Sequence, residues 1–416
     1  MFATDEVKSA STPFTVRPAL TVDPEDGPVG TNVTVEGHGF GANERSIEVM
    51  YDLGGDHETV LQDIDADENG SWERSFTVPS SYQGDHTIDA AASTTVRYTT
   101  FEVTPAISLL QPWGSPGQNI TMIGNGFQAR DRYIMILFEG EEAQTGIIRA
   151  DPNGYWEGNF RVPEMPIGTY SVTADGQLTP EGDVPSLSFD IRPGLVLSPS
   201  SGHVGTELTV TGAGFPINEG VNVLYDGNQI VIAEVGPKGT FEISFVVPQS
   251  PAGKRTVTAE DNVGNVATAK FTMESDPPGT PELESPADGS SVGFIGNVRP
   301  TFKWSAVPPD PSGVYYNLQI AASDNVTGAG FTHPIVSVEN IVGTNYTPEK
   351  GLGYGNYYWM VQAVDGAGNK GQWTTASSFH AGALPLWAFI LAIVVFLALA
   401  GTLVYRFVIR DRIRYL

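Results

Sequence analysis

Three short stretches carry glycine pairs of the kind that can do chemistry: VTVEGHGF at 33–40, ITMIGNGF at 120–127 and LTVTGAGF at 208–215. Closely spaced glycines let backbone N–H groups approach and cradle a phosphate. The dinucleotide pattern needs a third glycine, and Ala42, Ala129 and Ile217 hold its place. No Gly-Lys-Ser/Thr follows any copy, so a nucleotide site is set aside. A second candidate is calcium. Asp65-x-Asp67-x-Asn69-Gly70 matches the first half of a calcium loop, whose carboxylate and amide oxygens suit a hard cation. The twelfth position should be a bidentate glutamate and is Phe76. The equivalent stretches, ADPNG at 150–154 and GPKG at 236–239, lose most of the carboxylates. A polar hairpin turn is the preferred reading, with a weak interdomain calcium site as the one cofactor left in play.

The remaining reactive side chains form no recognisable set. His38, His57, His86, His203, His333 and His380 are scattered, and no HExxH occurs. His38 is replaced by Asn125 and Ala213 in the equivalent stretches. The chain has no cysteine, which removes disulfides, thiol catalysis and Cys-ligated metals. No catalytic residue is assigned, and the expectation is a protein that is not an enzyme. Trp113 and Trp373 lie outside the repeated core positions and are the candidate ligand-contacting aromatics, core packing being the preferred alternative for each. Asn32, Asn69, Asn119, Asn325 and Asn345 stand in Asn-x-Ser/Thr triplets open to glycosylation in a suitable host.

The glycine stretches belong to a larger repeat. GPVGTNVTVEGHGF (27–40), GSPGQNITMIGNGF (114–127) and GHVGTELTVTGAGF (202–215) share one pattern, and Gly30, Gly117 and Gly205 are spaced by 87 and 88 residues. A second block follows in each unit: NGSWERSFTVP, NGYWEGNFRVP and KGTFEISFVVP. Strand alternation puts Trp72, Arg74 and Phe76 on one face, the aromatics anchoring a core. GDHTIDA, GTYSVTA and GKRTVTA add a further alternating strand. Short strands every 8–12 residues, 47 glycines and 30 prolines describe an all-β chain of tandem immunoglobulin-like β-sandwiches. The glycine pair then ends a strand where the backbone must bend or take positive φ.

FTVRP at 14–18 matches the unit endings FEVTP (101–105) and FDIRP (189–193). Residues 1–18 therefore read as the last strand of a preceding, truncated repeat, and the acidic start MFATDEVKSASTPFTV lacks the apolar core of an export signal. Repeats one to three occupy 19–105, 106–193 and 194–274, a linker 275–286, and a fourth unit 287–380. That unit alternates Phe302 and Trp304, then Tyr316, Leu318 and Ile320, then Tyr357, Trp359, Val361 and Ala363.

Residues 384–405, LPLWAFILAIVVFLALAGTLVY, carry no charge and as a helix reach about 33 Å, enough for a bilayer core. Trp387 and Tyr405 sit at the two ends as interfacial anchors. The tail 406–416 holds Arg406, Arg410, Arg412 and Arg414, which marks it cytoplasmic and turns the rest outward across a plasma membrane. Leu384-Pro385 lacks the Thr-Gly that a sortase cleaves, so the span is read as retained. The whole chain carries −26; without the tail's four Arg and one Asp the outer part has 18 basic and 47 acidic residues, a net −29. Nucleic acid is thereby excluded as a partner.

The threefold G-x-x-G-x-x-[VIL]-T-[VM]-x-G-x-G-F signature over 19–274 resembles the TIG/IPT family of immunoglobulin-like modules. The stretch GNYYWMVQAVD resembles a fibronectin type III-like module, with Tyr357 in the corner-tyrosine role and Leu352 five residues before it rather than six. With the C-terminal anchor, the resemblance implies a bacterial or archaeal cell-surface protein: a non-enzymatic structural or adhesive stalk, with the membrane as partner. The alternative is a carbohydrate- or protein-binding module of an anchored assembly, beside an enzyme domain upstream. A glycan, a surface protein or neighbouring copies in a surface assembly are the partner classes left open. A signalling receptor fits the eleven-residue tail least.

Overall fold

The computed structural model describes residues 17–52, 57–93, 95–274, 276–294, 297–382 and 386–409. The expected strand within residues 1–16, the Leu384-Pro385 pair and Arg410, Arg412 and Arg414 lie outside the described residues.

The chain is a series of four β-sandwiches followed by one helix. Each sandwich packs a three-stranded sheet on a five- or six-stranded one. In the second repeat the small sheet runs Trp156–Arg161, Asn119–Asn125, Ala106–Leu109. Its larger partner runs Trp113–Gly114, Leu187–Ile191, Gly168–Asp175, Arg132–Phe138, Glu141–Glu142. The first strand of each unit is divided between the sheets. Its first part pairs antiparallel in the small sheet; its last residues pair parallel with the closing strand of the large one. This division closes the sandwich at one side and leaves one alternating apolar face per sheet to bury. The burial alternates accordingly: Val33, Val35 and Gly37 point inward from the strand Asn32–His38, and Leu208, Val210 and Gly212 do so in the third repeat.

Four separate cores result. They centre on Tyr51, Trp72 and Phe101; on Trp156, Phe160 and Phe189; on Phe215, Tyr225 and Phe271; and on Phe302, Trp304 and Trp359. Trp72 and Phe76 are buried as the alternation requires. Arg74, on the same register, is exposed and turns its guanidinium onto the Glu73 carbonyl, because a charged head is too costly to bury between the two aromatics.

One departure separates the second repeat from its neighbours. In repeats one and three the outer strand of the large sheet, His57–Ile64 or Asn228–Glu234, pairs along the length of the strand beside it. In repeat two only Glu141–Glu142 and Ile148–Arg149 pair. Ala143 bridges the two sheets, its N–H donating to Ile136 O of the large one and its O accepting Arg161 N–H of the small one, and Thr145 N–H then donates to Asn159 O of the small one.

The helix Leu386–Val404 continues as a wider turn over Tyr405–Ile409. The span Leu386–Phe407 is apolar up to Arg406, is long enough to cross a membrane, and among the described residues is not buried against any sandwich. Trp387 and Tyr405 are exposed near its ends, and Arg406 lies in its last turn.

Candidate functional site

The glycine pairs are filled by protein. A side chain at Gly37 would meet the indole of Trp72 at 2.2 Å, one at Gly124 that of Trp156 at 2.1 Å, and one at Gly212 the ring of Phe241 at 2.1 Å. The first glycine therefore exists to let the aromatic of the second block lie flat on the strand, a reason that spacing alone did not reveal. The second glycine takes positive φ, 71° at Gly39, 66° at Gly126 and 77° at Gly214. Gly126 and Gly214 also press on the linker of the preceding unit, with 2.7 Å from a would-be Cβ to Thr104 O and 2.8 Å to Arg192 O. The space a phosphate would need is occupied by aromatic rings and the neighbouring unit.

The Asp65, Asp67 and Asn69 stretch is a turn in which Asp67 caps the turn's own backbone and Asp65 ties it to Ser46. Asp67 Oδ1 accepts the N–H groups of Asn69 and Ser71, both at 2.8 Å, and Asp65 Oδ1 accepts Ser46 N–H. These bonds hold the exposed Asp67 carboxyl below the usual carboxylate range, the Ser71 N–H contributing most. The same turn recurs at Asp151, Asp261 and Asp365, each accepting the N–H four residues on. It is a local device for reversing the chain.

Trp113 is not a core residue. It is 40% exposed, on the short strand Trp113–Gly114, and the Arg192 guanidinium carbon sits 4.5 Å from its ring centroid. Trp373 is half-buried on Lys370–Trp373 and packs against Ala321, Phe331 and Met360. The two are in different units and converge on nothing in common. All five Asn-x-Ser/Thr asparagines are exposed.

The corner that the sequence assigns to Tyr357 alone is built at the third residue of each G-x-x strand start. His86 Nε2 lies 2.8 Å from Tyr82 O, Tyr170 donates to Pro166 O at 2.9 Å, Arg255 to Ala252 O at 2.9 Å, and Tyr357 to Gly353 O at 3.2 Å. Three kinds of side chain, histidine, tyrosine and arginine, make one corner. The signal was present in GDH, GTY, GKR and GNY but hidden by the change of residue type. His86 is thereby a structural histidine, buried and stacked on Tyr51 with ring centroids 5.3 Å apart.

Among the described residues, oxygens of three acidic side chains converge within 4.8 Å at one place, the junction of the third and fourth units: Glu274, Asp310 and Asp365. Burial pushes the Glu274 carboxyl up from its ordinary value, and Asp310, Asp365 and Asp276 add to this while His203 opposes it. Glu274 Oε1 is buried without a hydrogen-bond partner. Oxygen donors of this kind are those a hard cation takes, though three carboxylates are fewer than the six to eight ligands of calcium.

No protein-family model matches the chain, and a comparison with curated proteins finds no match. Solved structures that match over much of the chain include adhesion and glucan-utilisation proteins. A tetra-tandem repeat from the extending region of a large adhesion protein is 15% identical, with a TM-score of 0.26, covering 88% of this chain and 100% of its own. Invasin, a bacterial integrin-binding protein, is 12% identical with a TM-score of 0.22, over 88% and 79%. The SGBP-B protein of the Bacteroides ovatus mixed-linkage glucan utilisation locus, solved with a heptasaccharide, is 11% identical with a TM-score of 0.24, over 88% and 99%.

Proposed function

We propose that the protein is a non-enzymatic cell-surface stalk, anchored once in the plasma membrane, that holds binding surfaces away from the bilayer. The observation carrying this reading is the construction of the junctions. Only Thr104-Pro105 and Arg192-Pro193 separate the last strand of one repeat from the first of the next. Proline fixes one backbone angle in each linker. Across the first junction Gln83 N–H donates to Phe127 O, and the Gln83 side chain bonds Gln128 and Asp183. Across the second, Ser115 Oγ–H donates to Pro193 O, Gly239 packs on Pro166, and Lys238 pairs with Glu164 at 3.7 Å. Across the third, Asn369 donates to Glu274 O, and Ala367 of the fourth unit packs into the third core. At the first two junctions a two-residue linker containing proline, with hydrogen bonds and close backbone contacts across it, limits bending, which is what a spacer needs.

Orientation follows from charge. The basic tail stays with the cytoplasm and the acidic sandwiches face outward. Units about 30 Å across, four in line, would reach roughly 120 Å from the membrane. Electron microscopy of the full chain in nanodiscs tests this: a rod of about that height supports the stalk, whereas sandwiches folded back into a compact mass on the disc contradict it.

A further inference from the structure

The fourth sandwich ends where the chain leads into the apolar helix, and that end differs from the same end of the other three. Its closing strand Ser377–Ala381 lies between two others. Ser290–Val292 runs parallel on one side and Gly355–Asp365 antiparallel on the other. Ala381 is level with both Val292 and Gly355. The Gly382 N–H donates to Val292 O at 2.9 Å, which extends the pairing past the strand. Residues 383–385 separate Gly382 from the helix start at Leu386, a reach of at most about 14 Å.

Two aromatic side chains flank this exit. Phe294 follows Val292 by two residues and is 64% exposed. Tyr354 precedes Gly355 and is 48% exposed, its ring edge-on to His380 with centroids 4.8 Å apart. Val298 and Leu352 exchange both backbone hydrogen bonds, at 2.9 and 2.8 Å, and so join the two segments that carry the rings. The corresponding places in the earlier units are closed by protein. By the shared strand pairing, Val29, Pro116 and Val204 stand where Phe294 does. Val29 and Val204 pack on their own cores, and the Pro116 ring lies against Gly214 of the third unit. The residue before the G-x-x strand start is Gln83 in the first unit, where it bonds Phe127, Gln128 and Asp183 of the second. Its counterparts Ile167 and Ala252 are half-buried, and in the fourth unit the residue is the exposed Tyr354.

Charge favours the same partner. The outer part of the chain holds 47 acidic residues, yet none falls within 289–309, 350–364 or 366–405, which build this end and lead into the helix. Arg299 and Lys350 do fall there. Of the bordering acids, Asp310 and Asp365 lie at the opposite end of the unit beside Glu274, Asp288 is held by Ser378, and Glu349 neighbours Lys350. Lipid phosphates repel carboxylates, and the headgroup level of a bilayer favours aromatic rings and basic side chains.

We propose that Phe294 and Tyr354 enter the headgroup region of the bilayer, so that the base of the fourth sandwich is seated on the membrane its helix crosses. The partner is a phospholipid surface. Tyr354 would keep its hydroxyl toward water and phosphate while its ring is buried. Two rings and a span then hold the base at three points, where the span alone would be a pivot. The proposal rests on the reading of Leu386–Phe407 as a membrane span and adds what keeps the stalk upright.

The chain has no cysteine, so single-cysteine variants of the full chain can carry a fluorophore in nanodiscs of phosphatidylcholine and phosphatidylglycerol. The labelled variants are Phe294→Cys, Tyr354→Cys, Leu397→Cys within the span, and Val263→Cys in the third unit. The discs hold lipid with a nitroxide either on the headgroup or deep on the acyl chain. The headgroup nitroxide should remove roughly half or more of the emission at positions 294 and 354, as expected for side chains at interfacial depth. The acyl-chain nitroxide should do so at 397, and neither should affect 263. Emission at 294 and 354 as unquenched as at 263, with 397 quenched, overturns the seat and leaves the span standing. An unquenched 397 removes the span and the seat together. A second measurement separates seating from mere nearness. In electron micrographs of discs with one chain each, the tilt of the sandwiches to the disc normal should be narrow in the natural chain and about twofold broader in Phe294→Ser/Tyr354→Ser, which loses both interfacial anchors. The melting temperature of that variant should not fall, because both side chains are exposed. Equal tilt distributions overturn the proposal, as does quenching protection seen only in discs with two chains, which would give this end to a second copy.

Discussion

Trp156 and Gly124 show how one pair of residues sets a repeat. The indole lies flat over the glycine, is 1% exposed, and packs edge-on to Phe127 with ring centroids 5.3 Å apart. Its N–H finds no partner, and the third repeat uses Phe241 in the same place. The ring, not the indole nitrogen, is what the site needs. Trp156→Phe should therefore cost little in urea unfolding, while Trp156→Ala should cost about 3–5 kcal/mol by opening a cavity. Gly124→Ala should also destabilise the repeat strongly, because its new methyl would fall inside the indole. The outcome that contradicts this is a Trp156→Phe variant as unstable as Trp156→Ala.

At the scale of elements, the strands, their alternation and the repeat were legible because each core position recurs 87 or 88 residues later. The reason for each motif was less so. The glycine pair reads as a bend, and only the packed structure shows the aromatic that lies on it. The interrupted edge pairing of the second repeat was invisible for a different reason. It comes from Ala143 and Thr145 bonding to the opposite sheet, and a change of pairing partner leaves no periodic trace in AQTGI. The acidic junction was equally hidden, since Glu274, Asp310 and Asp365 lie in three separate segments.

Two carboxyls of the third repeat, Glu274 at that junction and Asp261 at the far end of the paired strands Gly253–Glu260 and Val266–Met273, should titrate with opposite effects on stability. Glu274, raised chiefly by burial, holds its proton more tightly in the folded chain. Its contribution favours folding at low pH and is lost as pH rises from the ordinary carboxylate range through the raised value. Burial also works against the charge of Asp261, but hydrogen bonds from Asn265, Val263 and Gly264 outweigh it and hold the carboxyl low. Its contribution is present above the ordinary range and lost as pH falls through the depressed value. Melting curves across pH for Glu274→Gln and Asp261→Asn should thus diverge from the natural chain in opposite senses. A Glu274→Gln variant whose pH profile is superimposable on the natural one would refute the junction electrostatics.

For the whole molecule, the absence of cysteine makes sidedness easy to read. Val342→Cys, at an 81% exposed position of the fourth unit, should react with a membrane-impermeant maleimide on intact cells, and Arg414→Cys only after permeabilisation. The reverse pattern would invert the anchor. The central claim, that short bonded junctions make the repeats a stiff spacer, is most directly tested by the distance between spin labels at Tyr98→Cys and Val263→Cys. Both positions are 74% exposed and lie two units apart. A narrow distribution near 60 Å, about two unit lengths, is the expected result. A broad distribution, or one centred far shorter, would mean that the repeats swing freely and that the chain is a tether and not a stalk.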